Sequence, residues 1–563
     1  MLRREAQHPK VDIDFTLRRV FGKQSFRPLQ REVISAAIDG HDVFLQASTS
    51  FGKSLCFQLP AVVSNGVTLV ISPLLALMTD QVSALEAIGV AVATINSTTG
   101  LPERRKIMDD LFSGHPKTRL LYVTPELCQT EAFRRNLQII HSQGQLIRVA
   151  IDEAHCISEW GHDFRPAYKE LSWFRLMLKN PPVPMSALTA TATPRVRADI
   201  IKLLGFDTGT LKIFNTPSAR PNIHYEVRYL TDFASDPTMP EDFQVDDLLS
   251  WLKAIQDRRI ARLGSDAVSR LPPMSGIIYV PLRVVCDQLA GALSSSGRGI
   301  QAVAYHAGLS TTDRNRIQAM WTSTKPPPTP VDRGGGEGET VPTAFSIIVA
   351  TNAFGMGIDN PHVRFVVHWS PPRSFEGLVQ ESGRAGRDGC AAVSLVYYNT
   401  QERDRVLDRL GRDAENSNNR PGGIMNNSNS RNREDAARLK KQNHKARLES
   451  FQKVIRYCET TIRCRHEMIK EYFGDLELEM MGSQAAPVPQ PSTTLRTSPC
   501  DFACDFCKEG RQALSTRKRK MVAESAVEDW MELSMVPIMR AMFPAQFRGA
   551  GSMYGPQCQE CDY

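Results

Sequence analysis

Short apolar runs recur along the chain, separated by stretches whose apolar residues fall at helical spacing. In the first half the runs are Asp42–Ala47, Val67–Ser72, Arg119–Thr124, Ile147–Asp152 and Met185–Thr189. In the second half they are Gly276–Val280, Ile300–His306, Phe345–Thr351, Val363–Trp369 and Ala392–Tyr398. Each is rich in Val, Ile, Leu or Tyr, and most lack strict alternation with polar residues. Strands buried on both faces read this way, and helix-covered parallel sheets contain such strands. Two sets of runs predict two tandem α/β domains. The periodicity fades over Pro217–Asp236, which places the hinge there.

Three stretches break the pattern. Lys325–Thr340 holds prolines and then three glycines, Asn416–Arg433 is crowded with Asn, Ser and Arg, and Gln484–Ser498 is rich in Pro, Ser and Thr. None can bury enough apolar surface to offset the entropy of ordering, so solvated loops are expected, with 411–450 a disordered insert or linker. A helical segment from near Gln452 closes at Gly474, inside a small unit spanning 451–510. Residues 511–563 form an unassigned tail. Its basic cluster, Arg517-Lys518-Arg519-Lys520, fits a nuclear address or a solvated charge run equally.

Composition narrows the class. The 563 residues suit three or four domains of ~150 residues each. Lys and Arg number 68 against 61 Asp and Glu, a formal charge of +7, which permits a nucleic-acid partner without demanding one. Twelve Cys are too sparse for a disulfide framework and point to a reducing compartment. Met1–Lys10 is charged and offers no secretory signal, and no apolar run is long enough to cross a membrane.

Candidate chemistry begins at Ala47-Ser48-Thr49-Ser50-Phe51-Gly52-Lys53-Ser54, which follows a predicted strand and precedes a helical pattern over Leu55–Val63. Such a loop cradles phosphate with consecutive N–H groups and the helix end. Lys53 would reach the β and γ phosphates of ATP, and the Ser54 hydroxyl would ligate Mg²⁺. Ala47 stands where a first glycine usually does, and side chains at Ser50 and Phe51 would need permissive backbone angles. Asp152-Glu153-Ala154-His155 ends another predicted strand; Asp152 can hold the same Mg²⁺, and Glu153 can orient and deprotonate the attacking water.

From Phe15 to Cys507 the chain resembles the RecQ group of superfamily 2 DNA helicases. The blocks occur in family order: Ser25–Gln30, Thr49–Ser54, Ile71–Met78 with Asp80-Gln81, Asp152–Cys156, the aromatic-rich loop Ser158–Pro166, Leu188–Thr193, Gly276–Tyr279, Ala304–Leu309, Ala350–Asp359 and Gln380–Gly389. The resemblance implies two tandem RecA-like parallel-sheet domains, 1–217 and 218–410, followed by a small helical zinc-binding subdomain.

It also implies roles. Arg384 and Arg387, three apart and so on one side of a helix, would face the γ-phosphate from the second domain, with Gln380 beside them. Arg27 and Gln30 would read adenine, with Thr49, Ser50, Phe51, Gly52, Lys53 and Ser54 around the phosphates. Trp160, Phe164 and Arg165 suit stacking on unpaired bases, and Ser72, Thr351 and Asn352 would meet backbone phosphates. Cys464, Cys500, Cys504 and Cys507 would close a tetrahedral Zn²⁺ site, with Cys458 a competing ligand and Cys558/Cys561 a separate pair. The expected activity is 3′→5′ ATP-dependent unwinding of duplex DNA from a single strand, in the nucleus, in repair or recombination. The rivals are a DExH ATPase that acts on RNA or translocates without unwinding, and a non-catalytic DNA-binding copy. No winged-helix pattern follows Cys507.

Overall fold

The computed structural model describes residues 12–160, 164–230, 242–322, 343–352, 354, 360–419, 430–482 and 504–519. Every predicted apolar run becomes a strand. The first sheet holds β1 (Val43–Gln46), β2 (Val67–Ile71), β3 (Val92–Ile95), β4 (Leu120–Val123), β5 (Leu146–Ile151), β6 (Met185–Thr189) and β7 (Lys212–Asn215), in the order β3-β4-β2-β5-β6-β1-β7. The second holds β8 (Ile223–Tyr229), β9 (Met274–Tyr279), β10 (Ile300–Tyr305), β11 (Phe345–Ala350), β12 (Val363–His368) and β13 (Ala392–Tyr398), in the order β10-β11-β9-β12-β13-β8. Every pairing is parallel, and helices cover both faces. In β2, Leu69 and Ile71 join one core layer while Val70 joins the layer on the opposite face.

Three strands escape the apolar-run criterion: β3, β7 and β8. All lie at sheet edges, where a strand is partly wetted and needs no continuous apolar run. β8 alternates instead, burying Ile223, Tyr225 and Val227 and leaving His224, Glu226 and Arg228 half-buried. The hinge expected over Pro217–Asp236 is therefore shorter. The chain crosses from one sheet to the other between Asn215 and Ile223; residues 231–241 lie outside the described set.

Helices that position function are α1 (Leu55–Val63), α2 (Leu75–Ala87), α3 (Pro194–Leu203), α4 (Phe375–Ser382), α5 (Thr400–Asn419), α6 (Ser430–Glu459), α7 (Arg465–Phe473) and α8 (Asp475–Gly482). The predicted insert 411–450 is mostly helix: α5 enters it and α6 spans its second half, and the two pack against each other. Val406, Leu410, Phe451, Val454 and Tyr457 bury their side chains in the second domain's core, which outweighs the low apolar content nearby. The helical segment expected from Gln452 to Gly474 is two helices broken at 460–464, and Gly474 does end the second, at φ +65°. Lys325–Thr340, Gln484–Ser498, the middle of Asn416–Arg433 and residues 520–563 lie outside the described set.

α8 departs from its neighbours. α7 sits in the second domain's core through Ile469 and Phe473, yet Leu478 of α8 is fully buried in the first domain's core. Asp475 accepts from the Ser218 N–H and hydroxyl at 2.9 and 2.7 Å, and Glu477 pairs with the buried Arg197 of α3 at 3.0 Å. No described helix is long and apolar enough to cross a membrane.

Candidate nucleotide site and nucleic-acid interface

β1 feeds directly into the loop 47–54, and α1 begins at Leu55, as strand–loop–helix phosphate sites require. Only Gly52 in the loop has positive φ (+83°); Ser50 and Phe51 do not, so the loop needs a glycine at one place rather than three. A side chain at Gly52 would put its Cβ 2.8 Å from Gln30 Nε2. Gln30 is spent on the loop backbone: its Nε2 donates to Phe51 O at 2.7 Å, and its Oε1 accepts from Arg27 N at 2.9 Å. Arg27 itself is exposed.

Lys53 Nζ donates to the carbonyls of Ala47 and Ser48 at 3.1 and 3.5 Å. Burial pulls its ammonium below the usual lysine range, against the raising fields of Glu153 and Asp152. Asp152 directly follows β5 and is buried. Its carboxyl is pushed up to about 7, by burial first and by Glu153 beside it, while Lys53 pulls the other way. Its main-chain N–H and C=O are held by Ile71 O and the Tyr168 hydroxyl, both at 2.9 Å, and Gln81 Nε2 approaches Oδ2 at 3.5 Å. Gln81 is held in turn by the Tyr122 hydroxyl at 2.9 Å, which also accepts from Gln58 of α1. A buried carboxylate within electrostatic reach of Lys53, whose chain neighbour Ser54 carries a hydroxyl, offers hard oxygen donors of the kind that fit Mg²⁺. Glu153 adopts φ +48°, turning its side chain out of the strand line towards His155 Nδ1 at 3.3 Å. That nitrogen also meets Thr189 Oγ1 at 3.0 Å, joining the acid pair to the end of β6.

The second domain closes over this loop. Thr49 Oγ1 donates to Gly383 O at 3.0 Å, and a Cβ at Gly383 would stand 2.8 Å from that hydroxyl. Arg384 and Arg387 do not share a helix face: α4 ends at Ser382, and both lie in the turns that follow. Arg387 lies close enough to depress Lys53 electrostatically, whereas buried Arg384 lines a second-domain cavity with Tyr279, Asn352 and Gln380. The turn is pinned by two residues that sequence reading missed. Arg220 donates to Gly383 O and Ala385 O at 2.9 and 3.1 Å, and Asn222 Nδ2 to Gly386 O and Cys390 O at 2.9 and 2.8 Å. Burial lowers the Arg220 guanidinium to about 10, and Arg387 and Arg27 nearby add to the effect. No sequence signal links residues so far apart along the chain.

The nucleic-acid candidates separate. Trp160 is half-buried on the first domain's core, with the Arg195 guanidinium 3.1 Å above its ring. Its indole N–H reaches the Gln442 side chain of α6 at 2.9 Å. Phe164 is half-buried, 5.9 Å from the Lys169 ammonium, and Arg165 donates to Pro73 O at 2.6 Å. Gly161, His162 and Asp163 lie outside the described residues. Ser72 fails the expectation of phosphate contact: it is fully buried, and its hydroxyl reaches no surface. Thr351 is also buried, which leaves Asn352 as the exposed member of its pair.

Cys464, Cys504 and Cys507 bring their sulfurs within 4.8 Å of one another; Cys500 lies outside the described residues. Cys458 stands apart from the cluster, a buried thiol pushed up to about 12 by desolvation. Residues on both sides of the cluster are clamped by a fully buried pair: Arg465 Nε and Nη2 meet Asp505 Oδ1 and Oδ2, each at 2.9 Å, and Asp505 also accepts from Val227 N of β8 at 3.1 Å. Two cations of the basic cluster are likewise in use, Lys518 on Glu459 O at 2.9 Å and Arg517 on Glu509 at 2.6 Å.

Three family models match in succession: DEAD/DEAH box helicase over 27–200, helicase conserved C-terminal domain over 265–389, and RecQ zinc-binding over 424–508. The ATP-dependent DNA helicase Q5 of Mus musculus is 35% identical over 543 residues, 96% of this chain and 47% of that protein. The RecQ-like DNA helicase BLM of Xenopus laevis is 36% identical over 81% of this chain and 28% of its own length. The chain belongs to the RecQ family. It spans about half or less of the length of these curated relatives. The RecQ architecture accounts for the order of parts: two RecA-like domains, then a cysteine cluster of the zinc-binding type. Among solved structures, the DUF1998 helicase MrfA bound to DNA superposes with TM-score 0.52 at 15% identity, over 71% of this chain and 54% of that one. At that identity the likeness concerns the fold.

Proposed function

We propose that this RecQ chain is an ATP-dependent DNA helicase that moves 3′→5′ along a single strand and parts the duplex ahead of it. The observation that carries the reading is the meeting of two half-sites: the Thr49 hydroxyl on Gly383 O, with Arg387 within electrostatic reach of Lys53. A triphosphate held there bridges two domains, so its hydrolysis alters their separation, which is the physical route from chemistry to stepping.

Lys53 exchanges the carbonyls of Ala47 and Ser48 for the β and γ phosphates. Ser54 and Asp152 would hold Mg²⁺, which would supply positive charge against the triphosphate. Glu153 orients and deprotonates the water, and Arg387, with Arg384 and Gln380 behind it, stabilises charge on the transferring group. Arg27 and Gln30 read the adenine once Gln30 gives up a bond to the loop. Trp160, Phe164 and Arg165 take unpaired bases, and Asn352, with the main chain at Thr351, takes the phosphate backbone. Cys464, Cys504 and Cys507, with Cys500 as the fourth thiolate, hold Zn²⁺. The setting is nuclear DNA repair or recombination.

The test measures ATP turnover with and without single-stranded DNA, and with RNA instead, for wild type and Lys53→Ala, alongside unwinding of 3′- and 5′-tailed duplexes. DNA should stimulate wild type alone, and only the 3′-tailed duplex should open. Equal turnover by the two proteins overturns the enzymatic reading; stimulation by RNA alone reassigns the substrate.

A further inference from the structure

Between α7 and α8 the chain turns tightly against the first domain. A Cβ at Gly474 would stand 2.6 Å from Pro194 Cγ and 3.4 Å from Arg197 Nη2, both in α3, so the corner leaves no room for a side chain. Asp475 follows at once and is only 3% exposed. Its two oxygens take both donors of Ser218: Oδ2 accepts from the main-chain N–H and Oδ1 from the hydroxyl. Ser218 lies on the crossing from β7 to β8. Connecting segments ordinarily run over the surface, yet Ser218, Ala219, Arg220 and Asn222 of this crossing are all buried. Two residues beyond Ser218, the Arg220 guanidinium holds the carbonyls of Gly383, Ala385 and Gly386 in the turn after α4. The Gly383 carbonyl is also the acceptor for Thr49 across the cleft, and Arg387 follows directly on this turn. An unbroken line of contacts therefore runs from Asp475 through the crossing to the turn that faces the phosphate loop.

From this we infer that Asp475 is a positioning residue for the reaction at the triphosphate. Arg220 reaches the turn on a long side chain with many rotamers, so it can keep three carbonyls in register only while its own main chain is fixed. Downstream, Ala219 is fixed in the second domain's core and Asn222 is bonded to Gly386 O and Cys390 O. Asp475 fixes the upstream end, through a carboxylate that accepts both Ser218 donors. Loss of that hold lets Arg220 drift, the turn relaxes, and Arg387 loses its setting near Lys53. The inference rests on the helicase reading above, because that reading gives Arg387 its task.

Asp475→Ala removes both acceptors. Asp475→Asn keeps the shape, and because a serine hydroxyl both donates and accepts, the amide can still serve the Ser218 N–H and hydroxyl. The test measures single-turnover ATP hydrolysis with saturating single-stranded DNA and protein in excess, with melting temperatures alongside. It compares wild type, both Asp475 variants, Arg387→Ala, Lys53→Ala and Asp475→Ala in the Arg387→Ala background. Asp475→Ala should be about tenfold slower than wild type, part of the ~10³-fold that an arginine at the transferring phosphoryl group supplies. Asp475→Asn should stay within about twofold of wild type, since its bonds survive. Once Arg387 is gone, Asp475→Ala should change the rate by less than about twofold, because both changes act on one group. A tenfold loss in both backgrounds marks general loosening and overturns the positioning role. A wild-type rate in Asp475→Ala, or an asparagine variant as slow as the alanine one, overturns it too; all three outcomes leave the helicase reading standing. Should Asp475→Ala fail to fold, Ser218→Ala, which drops only the hydroxyl bond, carries the same comparison with an expected loss of about threefold. Lys53→Ala hydrolysing ATP as fast as wild type overturns the helicase reading, and the inference with it.

Discussion

The two RecA-like domains use one scaffold in opposite ways. In the first, β1 runs into a loop with a positive-φ glycine, a lysine and the start of α1, and β5 is followed by two acids; the groups proposed to seat a phosphate and a cation lie at strand ends. In the second, the equivalent turn after β9 is Val280-Pro281-Leu282 before the helix Arg283–Ser294, which offers no anion nest. That domain contributes cations from the turn after α4, held by Arg220 and Asn222. Parallel sheets present strand ends as potential sites, and the chain furnishes one such rim with a loop of the phosphate-binding kind and the other with arginines on a pinned turn. Under the proposed function, the site is complete only when the two rims meet.

The largest expected effect tests that division. Glu153→Gln in the first domain and Arg387→Ala in the second should each cut DNA-stimulated turnover about 10³-fold, while fluorescent ATP analogues still bind. If Arg387→Ala lowers nucleotide affinity and leaves turnover intact, the second domain is a binding surface and the contrast fails. Next in size is Asp505→Ala, which leaves Arg465 as an uncompensated buried charge and should cost about 3–5 kcal/mol in equilibrium unfolding of the second domain and its cysteine-bearing segment. An unchanged denaturation midpoint would show that the pair does not tie the cysteine cluster to β8. The smallest is Thr49→Val, which removes one hydrogen bond across the cleft and should raise KM for ATP by less than about tenfold with turnover kept. A variant indistinguishable from wild type would mean that this contact forms only without nucleotide.

The same contrast explains what was legible in the sequence. The first domain's groups are local: Lys53 and Ser54 immediately precede α1, and Asp152 directly follows β5, so strand-then-loop patterning reveals them. The interior strands were legible for the same reason, each being an apolar run. The edge strand β8, the helices through 411–450 and the positions of Arg384 and Arg387 were not. β8 has one wet face, α6 is held by contacts to a distant core, and the turn after α4 is shaped by Arg220 more than 160 residues earlier. Ser72 misled because a motif gives residue order and is silent on which way a side chain faces.

α8 carries a mechanical consequence. It lies in the loop between Cys464 and Cys504, whose sulfurs stand 3.8 Å apart, so both roots of the loop are pinned to one lobe. Its middle is plugged into the other lobe by Leu478. Only Gly474 separates α8 from α7, which is seated in the second domain by Ile469 and Phe473, so swinging the lobes apart must either unseat that leucine or bend the chain at this glycine.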